Sequence, residues 1–98
     1  MITKKTREKI LLKRKICEYC RSSQATELHH CIVHRSINKP ELDSEENLMS
    51  VCHKCHMNGE INTRETKISF WNAQIKRGYN MQEWYDNLNL KYKEFYYG

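Results

Sequence analysis

The sequence predicts a small α+β fold in which a strand, loop, strand and helix are stapled by a metal site and flanked by further helices. Three observations lead there. Two CxxC pairs, Cys17 with Cys20 and Cys52 with Cys55, stand 31 residues apart. Between them lie two short apolar runs, Leu28 to Val33 and Leu48 to Val51, separated by the polar stretch "RSINKPELDSEE", which holds the only proline. Beyond them, apolar residues recur at helical spacing. With 98 residues, the chain is read as one domain over 1–98, of a size at which a hydrophobic core alone leaves little net stability. Within it, 1–16 form a basic helical arm, 17–60 the stapled core and 61–98 a helical extension.

Each element has a local reason. Thr3 to Lys15 favours helix, with Ile10, Leu11 and Leu12 as a short apolar stripe. "ICEYCRSSQ" forms a tight knuckle closed by polar turn residues. Leu28 to Val33 is strand-like, and the stretch from Arg35 to Glu46 has the composition of a loop. Leu48, Met49 and Val51 lead into "CHKCHMNGE", where a helix begins. Asn62 with Glu65 makes a capping-box-like start; Ile61, Ile68, Trp71 and Ile75 share one helical face, and Gly78 stops the helix. Asn80 with Glu83 starts another, whose Met81, Trp84, Tyr85 and Leu88 are core residues.

Charge and composition narrow the function classes. No apolar run reaches the length of a membrane span, and the N-terminus has neither the apolar core nor the cleavage site of a secretory signal. The expected compartment is therefore the reducing cytoplasm, where structural disulfides are rare. The formal net charge is +5, and Lys4, Lys5, Arg7, Lys9, Lys13, Arg14 and Lys15 crowd the first fifteen residues against Glu8 alone. Such an arm suits a phosphate backbone, although a solvated helix face would have the same composition.

The cysteines carry the clearest chemistry. A CxxC knuckle aims two thiolates at one point, and two knuckles complete the tetrahedral sulfur shell that Zn²⁺ takes in closed structural sites. Two disulfides conflict with the compartment, and a redox CxxC would need a βαβ context that is absent. Cys17, Cys20, Cys52 and Cys55 are therefore the expected zinc ligands, with His53 or His56 as alternatives to one thiolate. Cys31 has no CxxC partner and is expected in the core.

Five histidines remain: His29, His30, His34, His53 and His56. A zinc that joins the two knuckles brings the strand of His29 and His30 against the strand ending at Cys52, with Asn47 at its base and His56 on the helix that follows. In the order "ELHH", "ENLMSVC", "CHKCH", the sequence resembles the HNH (His-Me finger) nucleases, in the variety with two flanking CxxC pairs. The C-terminal "FWNAQIKRGYNMQEWYDNL" resembles small phage and intron-borne members, including homing endonucleases.

The resemblance implies a ββα-metal core and a metal-dependent endonuclease that hydrolyses double-stranded DNA to 5′-phosphate and 3′-hydroxyl ends, in a bacterial or phage-infected cell. Residue by residue, His29 and His56 match ligands of one divalent cation (Mg²⁺, Mn²⁺, Ni²⁺ or Zn²⁺), His30 the general base and Asn47 the residue orienting that base. Glu60 stands where some members have a further metal-binding histidine and offers an oxygen instead. Lys4, Lys5, Arg7, Lys13, Arg14 and Arg35 are the expected nucleic-acid contacts, with His34 beside Arg35. One such site cuts one strand, so either a monomer or a homodimer fits. The alternative is a noncatalytic zinc-finger-like nucleic-acid-binding module, which explains the charge and the cysteines but leaves the His pair and Asn47 without a purpose. Regular pleating sends His29 and His30 to opposite faces, so the nuclease reading expects the chain to bulge or leave the strand beside them.

Overall fold

The computed structural model describes residues 2–34 and 39–90, so Arg35 lies outside the described residues. The order is α1 (Lys4–Lys13), β1 (Glu27–His30), a single 3₁₀ turn over Pro40–Asp43, β2 (Leu48–Val51), α2 (His53–Met57), a second 3₁₀ turn over Gly59–Asn62, α3 (Arg64–Lys76) and α4 (Met81–Asn87). No helix among the described residues is long and apolar enough to cross a membrane.

Helix α1 starts at Thr3, whose hydroxyl accepts the Thr6 N–H at 3.1 Å. Of its apolar stripe only Ile10 is fully buried, against Leu28 and Leu48, while Leu12 is 69% exposed. Arg14 caps the helix and turns inward, donating to the Leu48 carbonyl at 2.7 Å and the Glu45 carbonyl at 3.4 Å, with Glu18 at 3.5 Å. A guanidinium this deep is tolerable because it is paired.

The knuckle is a short hairpin. Ile16 pairs with Gln24, the Cys17 N–H donates to the Ser23 carbonyl, and Arg21 turns the chain in the left-handed region at φ 58°. Hydrogen bonds from the Glu18 N–H to the Ser50 carbonyl and from the Thr26 N–H to the Val51 carbonyl tie it to β2.

Strands β1 and β2 form an antiparallel pair in unbroken register, from Glu27 opposite Val51 to His30 opposite Leu48. The expected strand to Val33 is shorter because Asn47 takes over. Its Oδ1 accepts the Ile32 and Val33 N–H groups, both at 2.9 Å, and its Nδ2 donates to the Val33 and Leu42 carbonyls. Asn47 is fully buried, and these four bonds exhaust its side chain. The chain therefore leaves the sheet directly after His30.

The N-cap of α3 is Thr63, one residue beyond the expected Asn62, and its hydroxyl accepts the Thr66 N–H. Asn62 is instead the last residue of the preceding 3₁₀ turn. The buried face runs through Thr66, Phe70, Trp71 and Gln74, leaving Ile75 half exposed. Gln74 takes the inner position because its amide reaches the Glu45 and Glu46 carbonyls at 2.7 and 3.3 Å. At the C-terminus the Gly78 N–H bonds the Ile75 carbonyl and the Tyr79 N–H that of Gln74, a Schellman close with Gly78 at φ 101°. Asn80 caps α4 by accepting the Glu83 N–H at 3.1 Å. Met81, Trp84, Tyr85 and Leu88 are buried, with Tyr85 edge-on to Trp71 at 5.9 Å, so these four residues are core as expected.

Candidate metal centre and histidine face

The sulfur atoms of Cys17, Cys20, Cys52 and Cys55 all lie within 4.8 Å of one another, positioned to hold a metal ion. The knuckle presents the first pair, and its Cys20 N–H points at the Cys17 sulfur at 3.5 Å. The second pair opens α2: Cys52 is its N-cap, and the His56 N–H donates to the Cys52 carbonyl. His53 and His56 turn away to Glu27, so neither replaces a thiolate.

The thiols differ in acidity. The Ser22 hydroxyl and the Ser22 and Ser23 N–H groups hold Cys20 down to about 5, whereas burial and the neighbouring sulfurs push Cys55 up to about 12. Four thiols at this spacing cannot all ionise unaided. A dication reverses that, and its binding expels protons. An all-sulfur donor set in a largely buried cluster fits a structural zinc. Cys31 lies apart, buried, with its thiol pushed up to about 12 by desolvation.

The pleat of β1 sorts the histidines. Glu27 and His29 share one face of the strand, toward α2. There the His29 and His56 rings meet edge-on with centroids 5.5 Å apart. Glu27 bridges two imidazoles, accepting from His56 Nδ1 and His53 Nδ1 at 2.7 Å each, and those bonds hold its carboxyl below the usual range. An ionised Glu27 is acceptor only, so His56 donates from Nδ1, and Nε2 is the ring nitrogen that Glu27 does not engage. His29 is buried, and desolvation, reinforced by His56, pushes it down to about 4, keeping the imidazole neutral. A neutral His29 beside a His56 oriented by a carboxylate is a donor pair that suits a divalent cation.

His30 faces the other way. Its Nε2 lies 2.8 Å from Asp43 Oδ1 on the 3₁₀ turn before β2. Burial works against the Asp43 carboxylate, but the His30 hydrogen bond is among the contacts that hold it below the usual range. Asn47, expected to orient His30, has no side-chain group left for it. What it fixes is the backbone that His30 leads into.

Sequence reading missed Asp43 and Glu27. Asp43 lies in a loop without periodicity; Glu27 could have been found from its two-residue spacing to His29.

Other expected residues are placed as follows. Glu60 is exposed, and among the described residues no group of three or more potential ligands other than the four cysteines gathers within 4.8 Å, so it does not join His29 and His56. Lys4, Lys5 and Arg7 are exposed on α1, and Lys13 lies 3.7 Å from Glu45. Arg14 must be withdrawn from the phosphate-facing set, because its guanidinium is buried on backbone carbonyls. His34 is exposed.

No family model, curated protein or solved structure matches the chain.

Proposed function

We propose that this chain is a metal-dependent endonuclease of the HNH type, with a zinc-stapled ββα-metal core, hydrolysing phosphodiester bonds of double-stranded DNA. The observation that carries the reading is the pairing of His29 with His56 across β1 and α2, with a carboxylate-held His30 at the adjoining strand end. A buried His29 paired with a half-buried His56 on one side and an Asp-His dyad on the other are costly to maintain without a use.

In the reaction so read, His29 and His56 are the residues that would hold a divalent cation, which would supply charge neutralisation at the phosphate and the leaving 3′ oxygen. Asp43 accepts a hydrogen bond from His30 Nε2–H in this reading, so the lone pair on Nδ1 is the one that takes a proton from the attacking water. Asp43 then balances the imidazolium that forms. In-line displacement puts the attacking and leaving oxygens on opposite sides of phosphorus. The pairing runs unbroken through His29 and His30, against the expectation of a bulge that brings both to one point; the two stand on opposite faces of the strand end, and in this reading the phosphate lies across that end.

The competing reading, a noncatalytic nucleic-acid-binding module, is favoured by the cysteines being the one close group of three or more potential ligands among the described residues. A supercoiled plasmid separates the two. Nicking or linearisation is expected with added Mg²⁺ or Mn²⁺, lowered about 10² to 10⁴-fold in His30→Ala with the far-ultraviolet circular dichroism unchanged. Asp43→Ala is expected to lower kcat by a smaller factor at constant KM. Undiminished cutting by purified His30→Ala removes the base, and intact plasmid in every metal leaves the module reading.

A further inference from the structure

The basic arm is not the only cationic surface, and the fold weakens its claim. Arg14 is buried, and Lys9 and Lys13 lie 3.8 and 3.7 Å from Glu45. A second surface lies between the knuckle and α3. Two clefts of about 410 and 490 Å³ share Arg21, Ser69, Ala73 and Arg77 and so make one continuous groove. Lys15 lines the first cleft, Lys76 the second, and Arg21 both.

Charge in this groove is unbalanced. Glu18, the one acidic residue among those lining it, is already neutralised by Arg14 and Arg77. Lys15, Arg21 and Lys76 are exposed and have no carboxylate partner among the described residues. The knuckle, moreover, keeps an arginine at φ 58°, a left-handed position that glycine or asparagine fills at lower cost. Three cations with no carboxylate partner among the described residues, along one groove with the exposed Ser69 as a neutral donor, are complementary to a polyanion.

We propose that this groove, rather than the exposed start of α1 with Lys4, Lys5 and Arg7, carries the sugar-phosphate backbone of a nucleic-acid duplex, with Lys15, Arg21 and Lys76 on its phosphates. The inference rests on the nucleic-acid reading above and names where the duplex lies. It is independent of whether the histidine face cuts.

The test is equilibrium binding of a fluorescent duplex to the zinc-loaded full chain in a His30→Ala background, over a salt series. Lys15→Gln/Arg21→Gln/Lys76→Gln is expected to flatten the plot of log affinity against log salt by about 2 to 3, at about 0.9 per lost phosphate contact. Lys4→Gln/Lys5→Gln/Arg7→Gln is expected to change it by less than one contact's worth. An unchanged slope in the groove variant overturns the proposal, as does equal binding of polyglutamate by the parent protein. Loss of zinc from the groove variant without loss of slope would assign the cations to balancing the thiolates and also overturn it. If the parent protein binds no duplex, the nucleic-acid reading falls together with the groove. If it binds through the groove while the unmutated protein cuts nothing, only the nuclease reading falls.

Discussion

The four thiols and the imidazoles occupy neighbouring parts of one short span, yet they are held in different ways. The sulfurs come from two local knuckles, each of which sets the direction of its own pair, and they converge within 4.8 Å. The imidazoles are parted by the pleat of β1, His29 and His56 to one side and His30 to the other, and carboxylates hold His56 and His30 in place. A closed metal clamp needs two turns to dock. The histidine face needs strand register, a locked loop and the acids Glu27 and Asp43 together. The first rests on local turns, the second on contacts between elements distant in sequence.

The largest expected effect breaks the clamp. Structural zinc sites in small domains contribute about 10–16 kcal/mol of apparent binding free energy, which is folding free energy where the apo chain has no other staple. Cys52→Ser is expected to lose stoichiometric zinc and the cooperative thermal transition, read by metal analysis and circular dichroism. Cys31→Ala removes a buried thiol outside the cluster and should keep both. A Cys52→Ser protein that melts like the parent would show that the sulfurs do not carry the fold.

Next in size is the lock behind the histidine face. Asn47→Ala leaves two N–H groups and two carbonyls of residues 32, 33 and 42 without partners. At about 1 kcal/mol for each, the cost is roughly 4 kcal/mol, enough to lower the urea midpoint clearly. Zinc stoichiometry should survive, because no Asn47 bond touches a knuckle. An unshifted midpoint would mean that water replaces the side chain, and Asn47 would lose its structural role.

These two substitutions also mark what was legible in the sequence. The cysteine cluster follows from spacing because CxxC geometry is local. The helix ends at Gly78 and Asn80 follow for the same reason. Asn47 is prominent in sequence, but its partners are backbone groups that only the folded loop brings near. Asp43 is one acid among several in a polar stretch, distinguished only by the 3₁₀ turn that delivers it to His30. Arg14 reads as one more base in a solvated run, and only the depth at which α1 ends turns it inward to carbonyls. The capping signal was off by one at α3, where Asn62 and Thr63 both qualify and the preceding turn uses the former.

The smallest expected effect separates the sulfur cluster from the histidine face most sharply. Glu27 reaches both His53 and His56 but no cysteine. A carboxylate that fixes the tautomer and orientation of a ligating imidazole is worth about 10–100-fold in metal affinity. Glu27→Ala is therefore expected to weaken Mn²⁺ or Ni²⁺ binding at the histidine face by that factor, measured by titration calorimetry on zinc-loaded protein. Zinc content and melting temperature should stay close to the parent values, since the Glu27 side chain is about one-third exposed. A paired loss of zinc and second-ion binding would mean that the strand, α2 and the sulfur cluster form one mechanical unit. The contrast between a clamp built on local turns and a face built on distant contacts would then give way to a single metal-dependent core, with Glu27 as its brace.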